Sequence, residues 1–365
     1  MSATHCHSGG SVTGVFQTEP DKEYEHFLGL RLADAVLQAI NNLAPARIGW
    51  ASGSEPRHVF NRRWKMKPGV VNPDPFGGTN DRVRMNPTPG SPDLAGPAGL
   101  TDPEVSVLAV QSPSGRPIAV LANYSLHYCG DVPPHTFSAD YFGMFRERLG
   151  QLLGADAQAQ PFVAILSNGT SGDCNSIHFP EPPKPAGPSF TLCRRVANDV
   201  AEAARGAYQK IEFRDWVPLK TATREITLRV RRPSESEAEA ARKKLAAEIL
   251  PTSNREVIYA RETVLLADYP TTVNLILQVF RVGDLGIAAV PCEPFAESGL
   301  ELKEKSPLKP SFTIGLANGF YGYLPPPRHH ALGGYETWRA CTSFLETEAA
   351  PKIVSALIEL FHQVQ

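Results

Sequence analysis

No stretch of this sequence stays apolar for the roughly 20 residues that a bilayer-crossing helix requires. Charge of one sign is also lacking. The chain has 36 Lys and Arg against 38 Asp and Glu, for a formal net charge of −2. That balance gives no electrostatic footprint for nucleic acid or for an anionic lipid surface. Cys6, Cys129, Cys174, Cys193, Cys292 and Cys341 form no CxxC pair, no short-range disulfide framework and no Cys–His spacing of the zinc-finger kind. They read as mostly reduced and buried, wall residues rather than ligands. Repeats, a low-complexity tail and a signal peptide are absent as well. These absences exclude a transmembrane segment and a nucleic-acid partner, and they leave compartment and oligomeric state open.

What is present suits a folded enzyme. The 365 residues are 42% hydrophobic and 20% charged, enough for a sizeable core in one large domain or two smaller ones. The 29 glycines and 33 prolines imply long, ordered loops. Helical spacing of apolar residues predicts helices over 22–44, 140–153, 191–211, 234–247, 255–268, 297–304 and 336–363. The two charged helices, 234–247 and 255–268, are expected to lie exposed. Strands are expected at 46–54, 105–110, 117–123, 161–166, 220–230, 272–282, 285–290 and 312–316, with hairpins joining 105–110 to 117–123 and 272–282 to 285–290. Residues 55–103 read as a loop region, long enough to suggest function or disorder. The fold class is α/β: mixed sheets with flanking helices, and strands that end repeatedly in polar turns. Sites gather where such ends converge.

The first of these polar stretches is Thr4-His5-Cys6-His7-Ser8-Gly9-Gly10. On an extended segment, residues i and i+2 face the same side, and the glycines let the backbone turn beneath the rings. A strand that offers ligands must itself be held in a sheet. Almost nothing precedes His5, so the beginning of the chain is expected to have been lost or never included. His127 follows the strand at 117–123, Glu293 follows 285–290, and Tyr323 follows 312–316. Each has an ordinary explanation: a chance pair of histidines, a buried histidine, a helix cap, a core tyrosine. Their joint occurrence after apolar strands favours a hydrolytic zinc centre, in which imidazoles and a carboxylate leave one position for water. The Gly-rich turn 168–172 lacks the lysine of a nucleotide loop and reads as a pocket floor. Its backbone N–H groups or the Asn175 amide could support an oxyanion. His329 and His330, beside three prolines, read as a surface loop pair.

Ala3-Thr4-His5-Cys6-His7-Ser8-Gly9 resembles the zinc motif Ala-Thr-His-Thr-His-Ser-Gly of the neutral, non-lysosomal ceramidase family. Three further stretches follow in the same order. His127 stands ahead of Ser138-Ala139-Asp140. Pro291-Cys292-Glu293-Pro294-Phe295 is similar to the family's Pro-Gly-Glu-Phe, and Leu316-Ala317-Asn318 leads to Tyr323, with Tyr335 twelve residues on. Asn61-Arg62 is similar to the family's Asn-Arg-Ser loop. The resemblance spans residues 2 to about 345. It implies a zinc amidase acting on N-acyl sphingosines, with His5, His127, Glu293 and Tyr323 as Zn²⁺ ligands. His7 and Tyr335 would orient or protonate the reacting group, with Asn175 as a third catalytic residue. Arg62, Asp173 and Ser176 would contact the substrate. It further implies that residues 1–365 form a single ceramidase-like catalytic domain, without the family's leading segment and without its C-terminal β-sandwich. One departure bears on chemistry. The family's active-site serine lies in Gly-Asp-Val-Ser-Pro-Asn, and the matching stretch is Gly172-Asp173-Cys174-Asn175-Ser176-Ile177, with Asn175 in register.

The expectation is therefore a zinc-dependent hydrolase of a ceramide-like amide, using an activated water. The alternatives are a hydrolase of the same fold for another amide or ester, and a non-catalytic relative that binds zinc or a lipid-like ligand. The implied partner is a small lipid-like or amide substrate. His7 is assigned proton delivery, because an imidazole titrates near neutrality.

Overall fold

The computed structural model describes residues 1–183, 185 and 187–365. The first helix, α1 (Lys22–Asn41), begins where the Asp21 side chain accepts hydrogen bonds from the N–H groups of Glu23 and Tyr24. It buries none of its residues. β1 (Arg47–Ser54) follows. The region expected to be loop instead holds β2 (Phe60–Asn61), β3 (Arg63–Met66), β4 (Val83–Met85) and β5 (Leu94–Pro97). The last three form a small antiparallel sheet in the order β4-β3-β5. Strands of two to four residues set among prolines and glycines are too short to show a period of two.

Next come β6 (Glu104–Gln111), β7 (Pro117–Tyr124), α2 (Asp140–Leu152), β8 (Val163–Asn168), β9 (Cys174–Asn175) and α3 (Thr191–Tyr208). Strands β1-β6-β7-β8 make one four-stranded sheet. β6 and β7 form the expected hairpin, whereas β7 and β8 run parallel, joined by the crossover through α2. α3 buries Cys193, Val196, Ala197, Val200, Ala201, Ala204 and Ala207, the 3–4 spacing of one helical face. That face packs with α2 over this sheet.

The second half has the same plan. It contains β10 (Leu219–Arg229), α4 (Glu235–Ala246), α5 (Arg255–Ala267), β11 (Thr272–Val282), β12 (Leu285–Ala289), β13 (Glu293–Pro294), α6 (Ala296–Lys305), β14 (Ser311–Ile314), β15 (Tyr323–Leu324), α7 (Pro327–His330) and α8 (Ala349–Val364). The sheet order is β10-β11-β12-β14, with β12 and β14 parallel across the α6 crossover. α8 covers it, burying residues such as Ile353, Leu357, Leu360 and Phe361. The two sheets meet face to face: Trp50, Leu108 and Leu121 of the first pack against Leu285, Ile287 and Phe312 of the second. The result is a helix–sheet–sheet–helix sandwich with one parallel βαβ unit in each sheet.

Two expectations about helices are corrected. The helix expected over 336–363 begins only at Ala349. Glu336 is drawn into the interior by two arginines, and Ser343 and Leu345 are held by bridges to Gly322, Ala340 and Val230. Helix α5 is not merely exposed, since Val257, Tyr259, Glu262 and Leu266 are buried. Among the described residues no helix is long and apolar enough to cross a membrane.

Candidate metal centre

Parallel pairing places the C-terminal ends of β7 and β8 side by side, and likewise those of β12 and β14. The two sets of ends are tied together across the sandwich. Gly172 N–H donates to Pro294 O at 2.9 Å, and Gly315 N–H donates to Asn168 O at 3.0 Å. A side chain at Gly172 would collide with the carbonyl of Glu293, so this approach requires glycine. The N-terminal segment reaches the same place. Ala3 N–H donates to Leu316 O at 3.0 Å and Asn318 N–H donates to Met1 O at 2.9 Å. This explains how histidines so near the start are held: the segment docks on the loop after β14. It is not a regular strand, and His5 has φ of +67°. The two imidazoles still share a side, with ring centroids 5.0 Å apart and planes 23° from parallel.

His5, His127 and Glu293 converge from three separate segments, two loops and the short strand β13. His5 Nε2 lies 2.7 Å from Glu293 Oε2, and His127 Nε2 lies 3.8 Å from the same oxygen. The ligand nitrogens of His5, His7 and His127 all fall within 4.8 Å of one another. His127 Nδ1 faces the Ser171 carbonyl at 3.1 Å. That carbonyl can only accept, so Nδ1 carries the proton and Nε2 keeps its lone pair directed at the group. Tyr323 stands opposite Glu293 in the parallel pair β13–β15. Imidazole nitrogen and carboxylate oxygen are the ordinary donors for zinc, so the residues fit that ion.

Electrostatics at the site follow from burial and from one carboxylate. Burial opposes protonation of His5, but the charge and hydrogen bond of Glu293 outweigh it and raise its pKa. Burial, then the charge on His5, holds His127 well below the usual imidazole range. His7 is exposed on one side and stacked on Tyr128 at 3.6 Å on the other. Lost hydration, then the His5 charge, lowers its pKa to about 4. This corrects the expectation that His7 titrates near neutrality. A lowered value makes His7 a weaker base than a free imidazole. Burial, then the neighbouring Glu293, raises the Tyr323 phenol well above its ordinary value.

The other expected site residues are placed as follows. Arg62 is buried and fully engaged: Nε donates to Glu336 Oε1 at 2.9 Å, Nη2 donates to Gly172 O at 2.9 Å, and Nη1 lies 3.4 Å from His127 Nε2. Its guanidinium also lies over the Tyr323 ring at 5.4 Å. Such a cation would repel a metal ion, and Glu336 offsets its charge. Asp173 is wholly buried; Oδ1 accepts from Ala296 N–H at 2.9 Å and Oδ2 from Asn61 Nδ2 at 2.7 Å. Arg62 and Asp173 therefore shape the site from behind. Asn175 donates from Nδ2 to Asn86 Oδ1 at 2.7 Å and accepts from Ile177 N–H, while Ser176 beside it is half-buried. The Tyr335 ring lies 5.8 Å from that of Tyr323. His329, expected at the surface, is fully buried, edge-on to Phe295 and 3.5 Å from Glu297.

Two cavities flank the centre. One of about 510 Å³ opens beside His7 and Tyr128, with Val132, Pro133, Pro134 and the exposed Phe137 on its wall. Another of about 390 Å³ ends at Tyr335. Sequence reasoning missed three features. Ser171 acts through a backbone carbonyl, which no side-chain pattern reveals. Glu336 was hidden inside a supposed helix, although two adjacent buried arginines demand a carboxylate. The third is a second group able to hold a metal ion, Cys129, Asp140 and Cys193, whose ligand atoms also lie within 4.8 Å of one another.

No protein-family model and no curated protein matches the sequence. Solved structures do. The crystal structure of neutral ceramidase from Pseudomonas aeruginosa is 16% identical, with a TM-score of 0.60 over 90% of this chain and 54% of that one. A ceramidase complexed with C2 is 14% identical, with a TM-score of 0.58 over 89% of this chain and 54% of that one. The chain spans about half the length of these proteins. At such identities the likeness concerns architecture, and the chain has the α/β fold of the neutral ceramidases.

Proposed function

We propose that this chain is a zinc-dependent amidohydrolase of the ceramidase type, with residues 1–365 forming one catalytic unit. The observation that carries the reading is the convergence of His5, His127 and Glu293 from three separate segments, with His127 Nδ1 committed to Ser171. His5, His127, Glu293 and Tyr323 would hold the ion. When bound, zinc supplies a Lewis acid for the amide carbonyl and a water of lowered pKa. His7, neutral and stacked on Tyr128, takes up the proton released by the attacking water and returns it to the leaving amine. Tyr335, beside Tyr323, donates a hydrogen bond to the developing oxyanion, and the free Nδ2–H of Asn175 adds polar support. Arg62 positions Tyr323 and His127 from behind. The apolar wall of the cavity beside His7 suits an acyl chain. N-acyl sphingosine is the reference substrate, because the two similar solved structures described above are ceramidases.

The test is metal analysis of the purified protein together with release of fatty acid from an N-acyl sphingosine. About one zinc per chain and turnover that chelation abolishes are expected. Protein that takes up no zinc, or that hydrolyses no amide when loaded, would refute the reading. A second reading has its own support: asparagine replaces the family's serine, and its amide is tied to Asn86. Zinc bound with no turnover on any amide or ester would establish that non-catalytic reading.

A further inference from the structure

The cavity that ends at Tyr335 is chemically unlike the one beside His7. Two guanidiniums line it, those of Arg84 and Arg255. Arg84 donates to Asn72 Oδ1 at 2.9 Å and to the Val71 carbonyl at 3.2 Å. Arg255 donates to the Pro73 carbonyl at 3.1 Å and lies over the Trp338 ring at 4.9 Å. Among the described residues neither has a carboxylate within 4.0 Å, whereas Arg62, Arg63, Arg261, Arg328 and Arg339 are all ion-paired. The cavity's one carboxylate, Asp81, is turned to other donors: it accepts from Gly334 N–H at 2.9 Å and from Trp338 Nε1 at 2.7 Å. The balance within the cavity is two positive charges against one negative.

We infer that this cavity binds the carboxylate of an N-acyl amino acid, so that the preferred substrate is an amide whose amine half carries one negative charge. The inference rests on the proposed amidohydrolase and narrows its substrate class. A planar guanidinium matches a carboxylate in fork geometry, and such charge-assisted bonds are about twice as strong as neutral ones. The neutral diol of a ceramide would accept hydrogen bonds from the guanidiniums but supply no counter-charge, a weaker match than a carboxylate. A phosphate dianion fits less well, because Asp81 lines the same space. Tyr335, on the wall of this cavity, has its ring 5.8 Å from that of Tyr323. The acyl chain then lies on the His7 side and the carboxylate on the Tyr335 side, with the scissile amide between them.

The test uses the full chain as purified and two probes that an amidase cannot cleave, N-octylsulfonylglycine and its methyl ester. Titration calorimetry should show the free acid binding at least about tenfold more tightly than the ester, with the preference shrinking as salt is raised. In the Arg84→Gln, Arg255→Gln double variant the two affinities should become equal, with the ester affinity unchanged. Arg255 is exposed, so Arg255→Gln alone reads the same effect, at reduced size, if the double variant folds poorly. Equal binding by the wild type would overturn the inference. So would a preference for the acid that survives the double variant, because the carboxylate would then sit on the metal. Hydrolysis is scored separately on N-octanoylglycine and N-octanoyl sphingosine. Turnover of the sphingosine amide with no acid preference in binding sinks this inference and leaves the amidohydrolase standing. An arginine-dependent acid preference with no turnover of either amide sinks the amidohydrolase, and the substrate class with it, and leaves only the carboxylate site in the cavity.

Discussion

Glu336→Gln should unfold this protein at a lower temperature and loosen its metal centre together. Glu336 is fully buried and is shared by two buried arginines: Arg62 Nε donates to one oxygen at 2.9 Å, and Arg63 Nη1 donates to the other at 2.5 Å. Glutamine keeps the shape and one acceptor but removes the charge, leaving two guanidiniums without their shared ion-pair partner. Breaking a buried pair from one side costs about 3–5 kcal/mol. Unfolding entropy of about 2 cal/mol/K per residue gives about 0.8 kcal/mol/K for a chain of 365 residues. The midpoint should therefore fall by about 4–6 °C, read by circular dichroism on the zinc-loaded protein. Arg62 also touches His127 and lies over Tyr323, so zinc affinity should fall as well, by about 10–100-fold, the usual range for lost outer support of a metal ligand. Acid behaviour gives an independent reading. Burial opposes ionisation of Glu336, but the charges of Arg63 and Arg62 prevail and its pKa is lowered. A lowered folded-state value means that this stabilisation is complete above the ordinary glutamate pKa and is lost as pH falls through the depressed one. The variant should lack that part of the acid limb. A midpoint within 1 °C of wild type would refute the account of Glu336 as the charge that holds the two arginines.

Three other outcomes are expected. His5→Ala should lose zinc and turnover together, while His7→Ala keeps most of its zinc and loses about two to four orders of magnitude in rate; paired metal analysis and kinetics decide this, and the opposite pattern would exchange the two roles. Asn175→Ala should lower turnover of a zinc-loaded enzyme without releasing zinc, and metal loss in that variant would make its bond to Asn86 the function instead. Gly172→Ala should give protein with reduced zinc content and a lower melting midpoint, because the added methyl meets the carbonyl of Glu293 itself; wild-type zinc content would show that the strand ends can separate without cost.

The architecture was readable where chain chemistry is local. Alternation and helical spacing located the long strands and helices, because each buries one face against a neighbouring layer. Where partners lie far apart in sequence, local pattern failed in both directions. The helix read through 336–348 satisfies helical spacing well enough, yet Glu336 is captured by Arg62 and Arg63 more than 270 residues away, and no period along the chain encodes that. His329 looked like a surface residue beside prolines, but packing against Phe295 buries it completely.

The candidate centre was readable for a different reason. A parallel βαβ unit delivers each strand's C-terminal end to the same edge of its sheet, so a polar residue just after such a strand has few places to be. His127 after β7 and Glu293 after β12 therefore meet as a consequence of topology, once the two sheets are face to face. The N-terminal segment does not follow this rule. It reaches the edge through backbone bonds to Leu316 and Asn318, with His5 in a left-handed conformation, and the spacing of its histidines alone could not have revealed how it is held. The same topology sets what the sequence could not resolve. Strand ends fix where the reacting atoms sit, while the two flanking cavities are built from side chains of unrelated segments: Arg84 from β4, Arg255 from α5, Phe137 from the loop before α2. The flanking cavities are thus built from segments other than the strand ends, so the proposed ceramidase-like centre and the inferred carboxylate-bearing substrate are compatible in one chain.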